Sequence, residues 1–218
     1  MLYICSVDYT MIGEYSPLML KGLGSTVAIT LLSLLVGTIL GGVVYAMGFN
    51  RRRWVREVAK WHKIIVRGTP VMVLLLLVFY VILQGGNGYV AAVAAFGINF
   101  SNFACSVIQT SVSAVGREQV DAARALGLTN IQTLRYVIAP QAIRTAMPPF
   151  KYNAVALLKS TAVVGYVALP DLTQATQTIR ESSGETLLPL ICVTLVYFVL
   201  AWLLCKLLDF IVKATDRI

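Results

Sequence analysis

The sequence predicts an all-α integral membrane protein with about five transmembrane helices, on three observations. First, the chain is 58% hydrophobic and 13% charged, and that charge fraction is about half of what a soluble domain carries. Second, the charges are unevenly spread: none occurs from Gly22 to Asn50, from Gly68 to Gly116, or from Thr186 to Cys205. A span needs roughly 20 apolar residues at about 1.5 Å each. The outer windows therefore hold one span apiece, and the middle window holds two. Third, Lys and Arg gather on one side when the segments are threaded in and out of a bilayer, as described below.

The first 21 residues form a short, weakly acidic leader. No basic region precedes its apolar residues, so a cleaved signal peptide is not expected. Ser16-Pro17 marks the approach to a first span of about 24–49. Its small residues, with Gly37 and Gly41 in GxxxG spacing, suit close helix packing in lipid. Residues 50–67 carry seven Lys or Arg and one acid. Trp54, Val58, Trp61 and Ile65 recur there at helical spacing, which predicts an interfacial helix with tryptophans at headgroup depth and cations toward anionic lipid. Arg67-Gly68-Thr69-Pro70 opens a second span over about 69–83. The turn signal Gln84-Gly85-Gly86-Asn87-Gly88 divides it from a third span over about 89–115.

Between the third and fourth spans lies a polar hairpin, 116–140, which holds five of the chain's 28 charged side chains (18 Lys and Arg, 10 Asp and Glu). Periodicity predicts two short helices. Val120, Ala123 and Leu126 share a face of the first, and Ile131, Leu134 and Ile138 share a face of the second. Gly127 stands where a left-handed residue ends a helix, and Thr129 with Gln132 offers a capping box. Beyond Pro140, prolines and polar groups interrupt a fourth span of about 145–164. They are tolerated at membrane depth only inside protein or against a wet cavity. Residues 171–185 are polar with a short helix after Pro170, and the last span covers about 187–208.

Five spans put the termini on opposite sides. The side with the 50–67 segment, the hairpin with Arg144, and the C-terminal tail carries fourteen Lys or Arg, and the other carries two. The acids divide evenly, so the bias lies in the residues that the positive-inside rule counts. The hairpin and C-terminus are expected in the cytoplasm and the N-terminus outside.

The spacing within the hairpin is particular: Asp121-Ala122-Ala123, three residues, Gly127, nine residues, then Val137-Ile138-Ala139-Pro140. It resembles the E-A-A-x3-G-x9-I-x-L-P signature of permeases of binding-protein-dependent ABC importers. RGTP at 67–70 and the stretch PPFKYNAVALLKSTAVVGYVALPDL resemble the polar amino acid (histidine/glutamine-type) branch. The resemblance implies a type I importer fold like that of the methionine importer, in a bacterial inner (plasma) membrane. It also implies two permease subunits around a pore, formed by a homodimer or with a paralogue, two ATPase subunits carrying ATP and Mg, and an extracytoplasmic solute-binding protein. The hairpin would couple to the ATPase through Asp121, Ala122, Ala123 and Gly127. Where the branch commonly has Gln after RGTP, Glu and Arg in the third span, and Asp after the lysine of the fourth, this chain has Leu74, Ser106, Gln109 and Ser160. Without that Glu, a polar neutral or anionic amino acid is expected, near Ser106, Gln109, Asn153, Lys159, Ser160 and Thr161.

The chain's own chemistry is sparse. It has no GxxxxGK[ST] phosphate loop, no charge in the first three spans for a proton relay, and no Ser/His/Asp or Cys/His set. Cys5, Cys105, Cys192 and Cys205 have no CxxC spacing, and His62 stands without metal-ligand neighbours. The basic residues follow the membrane sides and form no nucleic-acid groove. Neither catalysis nor a cofactor of its own is expected. The alternative is a self-sufficient carrier or membrane scaffold with no ATPase partner.

Overall fold

A computed structural model describes residues 10–167 and 169–215, and all the regular structure in them is helical. The first nine residues of the leader lie outside the described residues. Helix α1 covers Thr10–Met47 and α4 covers Gly88–Ser113; with α9, Leu187–Thr215, they contain the stretches long and apolar enough to cross a membrane. The helical count rises to five such segments if two bent pairs are each taken as one. One pair joins α2, Arg53–Gly68, to α3, Val71–Leu76, and its π-helical continuation Leu77–Ile82, with a bend of 111°. The other joins the rod Asn130–Val167 to α8, Leu172–Ser183, with a bend of 55°.

Helix α4 is the centre of the bundle. In its apolar window 56% of residues are buried, against 17% for α9. It packs on α1, α7 (Ala139–Ser160), α3 and α2. Small side chains make this possible: Ala91, Ala92, Ala95, Gly97 and Ala104 of α4 are buried, and α1 brings Gly37 and Gly41 against them. A Cβ on Gly37 would come within 2.8 Å of the Gly97 carbonyl oxygen, and one on Gly41 within 2.5 Å of the Ala104 Cβ. The GxxxG spacing thus serves packing inside the subunit. Around this seam Ile29, Leu75, Phe96, Phe100, Leu157 and Val164 form the core.

Several expectations shift. The first helix begins well before residue 24, and Pro17 lies inside it. Pro148 and Pro149 also lie inside a helix, since α7 runs on to Ser160 before tightening into the 3₁₀ segment Thr161–Val167. The irregularity read after Pro140 is therefore confined to its far end. The short helix expected after Pro170 is α8, and it is packed rather than free: it buries Leu172, Ala175, Thr176 and Ile179 against α1 and α9. Its N-cap, Asp171, is fully buried. The Asp171 carboxylate accepts from the Gln174 N–H at 2.8 Å, and the Leu172 N–H donates to Thr26 Oγ1 at 3.3 Å.

Helix α2 crosses the ends of α1 and α4. The tryptophans stay exposed (Trp54 62%, Trp61 60%), whereas Ala59 and Val66 are buried. The contact face is therefore Ala59–His62–Val66 at helical spacing, not the tryptophan face. His62 Nε2 lies 2.9 Å from Ser101 Oγ. That hydroxyl spends its one hydrogen on the Ile98 carbonyl at 2.6 Å, so the imidazole must donate from Nε2. His62 pins the amphipathic helix to the bundle.

Candidate functional site

The hairpin is built from local rules that can be traced residue by residue. Helix α5, Arg117–Ala125, ends at Gly127, whose φ of +82° is left-handed. The Gly127 N–H donates to the Arg124 carbonyl at 2.9 Å and the Leu128 N–H to the Ala123 carbonyl at 3.1 Å, which closes the last turn. Thr129 then caps α6, Asn130–Thr133. Its N–H donates to Gln132 Oε1 at 2.8 Å, and its Oγ1 accepts from the Gln132 N–H at 3.3 Å. This is the reciprocal pair expected from sequence.

The second arm differs from expectation. It does not stop at Pro140 but passes through a π-helical turn, Leu134–Ile138, directly into α7. The hairpin is the folded-back end of the rod that runs into the bundle. The arms are clasped by Gln141 Nε2 donating to Gln119 Oε1 at 2.5 Å.

The four predicted coupling residues fall on two faces. Ala123 is 5% exposed and is the residue that α5 buries, so its small side chain serves the packing of α5 on the second arm. Asp121, Ala122 and Gly127 face solvent. Beside them stand Leu126 and Ile131, 81% and 78% exposed, with Leu134 at 52%. All three belong to the periodic apolar faces of the hairpin helices. Their exposure leaves an apolar knuckle next to an acid, a surface suited to docking on another protein.

The predicted substrate-path residues do not gather at one place. The α4 and α7 helices run antiparallel from the hairpin, with Phe100 and Phe150 level at a centroid separation of 5.5 Å. Ser106 and Gln109 lie on the hairpin side of that level, whereas Lys159, Ser160 and Thr161 lie on the far side. At about 1.5 Å per residue the two groups are about 25 Å apart along the bundle. Three of the polar side chains are turned onto their own helix. Ser106 Oγ donates to the Asn102 carbonyl at 2.9 Å, Asn153 Nδ2 to Pro149 at 2.7 Å, and Ser160 Oγ to Ala156 at 2.9 Å. Thr161 is fully buried, Lys159 is exposed, and Gln109 lines a recess against α2.

A polar cavity of about 610 Å³ occurs elsewhere, at the end remote from the hairpin. Gly165 and Tyr166 of the 3₁₀ segment line it, with Thr173, Gln174, Gln177 and Glu181 of α8. Sequence reading missed it because it is made by the bend between two elements. The available clue was the run Thr173, Gln174, Gln177, Glu181, one polar face at helical spacing.

The profile of the binding-protein-dependent transport system inner membrane component family matches residues 33–217. The chain belongs to this family. As an inner membrane component it is similar to the L-cystine transport system permease protein TcyL of Bacillus subtilis, at 32% identity over 204 residues, covering 89% of this chain and 85% of TcyL. It is also similar to the arginine transport system permease protein ArtQ of Bacillus subtilis, at 27% over 216 residues and 97% of both chains. Among solved structures, an amino acid ABC transporter with histidines superposes with a TM-score of 0.84 at 31% identity, over 96% of this chain and 99% of that one. The inward-facing methionine transporter MetNI superposes with a TM-score of 0.74 at 21% identity, over 91% and 96%, and this likeness shows the fold. The inner membrane component therefore has the type I ABC importer permease fold.

Proposed function

We propose that this chain is the permease subunit of an ATP-driven importer of polar amino acids, and that the 116–140 hairpin docks on a separate ATPase subunit at the cytoplasmic face. The observation that carries this reading is the exposed knuckle of Asp121, Ala122, Leu126 and Ile131, mounted on a capped turn and continuous with α7. Asp121 offers an anion to a basic partner, Ala122 permits close approach, and Gly127 sets the angle between the arms. ATP and Mg sit on the ATPase. The permease pairs with a second copy or a paralogue to enclose the path, and an extracytoplasmic binding protein delivers solute to the opposite end.

The solute is a neutral or anionic amino acid. Three features support this: α4 and α7 carry no acid, Lys159 stands at the far end of α7, and TcyL is a cystine permease. The solute enters past the polar cavity of α8, whose hydroxyl and amide groups, with the Glu181 carboxylate for an ammonium, suit a zwitterion.

The coupling test is the reconstituted complex carrying Asp121→Lys or Gly127→Pro. Membrane insertion should persist, while uptake and solute-stimulated ATP hydrolysis should be lost. Truncating a desolvated interface charge typically costs about 2–5 kcal/mol, and reversal costs at least that. Normal uptake in both variants would defeat the proposal. For the solute, uptake of arginine is compared with that of glutamine and glutamate in the same vesicles. Arginine transport exceeding both would refute a neutral or anionic substrate.

A further inference from the structure

One recess outside the hairpin and the polar cavity is cationic at its rim and apolar at its floor. It has a volume of about 420 Å³ and opens where α2 crosses α1 and α4, at the hairpin end of the bundle. Val44, Ala59 and Cys105 form its floor, a small buried cluster of their own. Arg56, Lys60 and Lys63 line it from α2, and Gln109 lines it from α4. None of its lining residues is an acid. Glu57, the only acid of α2, holds Lys60 Nζ at 2.8 Å. Three cations against one carboxylate leave a net excess of two positive charges.

A soluble anion would use the rim and leave the apolar floor wet. An apolar chain alone would bury the floor and leave the cations uncompensated. A molecule with a phosphodiester head and a hydrocarbon tail satisfies both, since cations pair with phosphate oxygens through charge-assisted bonds. Basic pockets between membrane helices on the cytoplasmic side suit such heads. The position agrees: the exposed Trp54 and Trp61 put α2 at headgroup depth, and Phe49, a lining residue 73% exposed, adds an apolar surface at the edge of the recess for a chain. We infer that this recess seats one anionic glycerophospholipid of the hairpin-side leaflet, its phosphodiester held by Arg56 and Lys63. A zwitterionic choline lipid would bring a cation to a rim already in positive excess. The seat is independent of the transported solute and does not rest on the coupling reading.

The test is native mass spectrometry of the full chain purified with its partner subunits in detergent, titrated with phosphatidylglycerol or phosphatidylcholine. The expected result is one retained phosphatidylglycerol per chain and no retained phosphatidylcholine. Arg56→Gln with Lys63→Gln should weaken retention about thirty-fold, at about 1 kcal/mol per cation. Arg56→Lys with Lys63→Arg should preserve retention. Arg51→Gln with Arg52→Gln, which removes two charges ahead of α2, should leave it unchanged. Equal retention of the two lipids would overturn the inference, and so would equal losses in the two neutralised variants. Displacement of the lipid by inorganic phosphate would assign the rim to a soluble anion instead.

Discussion

Gly41 and Gly42 are adjacent and look alike in the sequence, yet they face opposite requirements. A Cβ on Gly41 would meet the Ala104 Cβ and, at 2.8 Å, the Ser101 carbonyl oxygen; a Cβ on Gly42 meets nothing within 4 Å. Gly41→Ala should therefore destabilise the protein by about 1–3 kcal/mol through overpacking. Gly42→Ala should stabilise it by up to about 1 kcal/mol through helix propensity. Thermal unfolding in detergent, comparing the two variants with the parent, checks both signs. Sequence could identify a small-residue seam but not which glycine faces it, because a glycine has no side chain to reveal a direction. Gly127 was legible for the opposite reason: its requirement is a backbone dihedral, set locally by the helix that ends there and the cap that follows.

Among the elements, α2 shows that amphipathic periodicity finds a face without naming its neighbour. Its large apolar residues define a face that points away from the bundle, while a histidine and an alanine make the contact. In a membrane protein the most hydrophobic face is often the one turned to lipid, so hydrophobicity ranks faces without saying which is buried. The His62–Ser101 bond supplies the missing direction. Ser101→Ala would leave the imidazole donor without its acceptor, at a cost of about 1–3 kcal/mol. Hydrogen exchange should then quicken across Arg53–Gly68 and remain unchanged in α9. The hairpin elements behave differently, being fixed by short-range signals that were readable in order. Thr129→Ala removes the cap on the second arm, a loss of about 1 kcal/mol, and faster exchange at Asn130–Thr133 would register it. What was not readable is that this arm and α7 are one rod. Pro140, Pro148 and Pro149 look like stops, yet Pro140 directly follows the π-helical turn Leu134–Ile138, where the regular i→i−4 ladder is already interrupted.

For the whole molecule, the fold class followed from where charge is absent, and the family likeness from the spacing around Gly127. The candidate solute path fared differently: a list of polar residues in apolar helices contains no information about level, and the two groups fall at different heights of the bundle. The polar cavity needs α8 folded against the 3₁₀ segment, a tertiary fact. Orientation is a property of the whole chain as well. With fourteen Lys or Arg on the hairpin side against two on the other, a single cysteine at Arg117 in an otherwise cysteine-free background should react with an impermeant maleimide in inside-out vesicles and resist it in intact cells. Labelling from outside would invert the topology and remove the hairpin from reach of any cytoplasmic ATPase.

The rod from Asn130 to Ser160 is also a mechanical object with very little slack. One end is folded back on itself, clasped by two glutamines and capped by a threonine, and the other ends beside the polar cavity of α8. The segment is helical throughout, so a push on the knuckle has a single place in which to dissipate. The one soft joint is the π-helical turn at Leu134–Ile138, where a change of winding would rotate everything beyond it like a shaft. Two glycines inserted after Ile138 should leave both halves folded and each able to meet its partner, yet ATP turnover would then run on without moving solute.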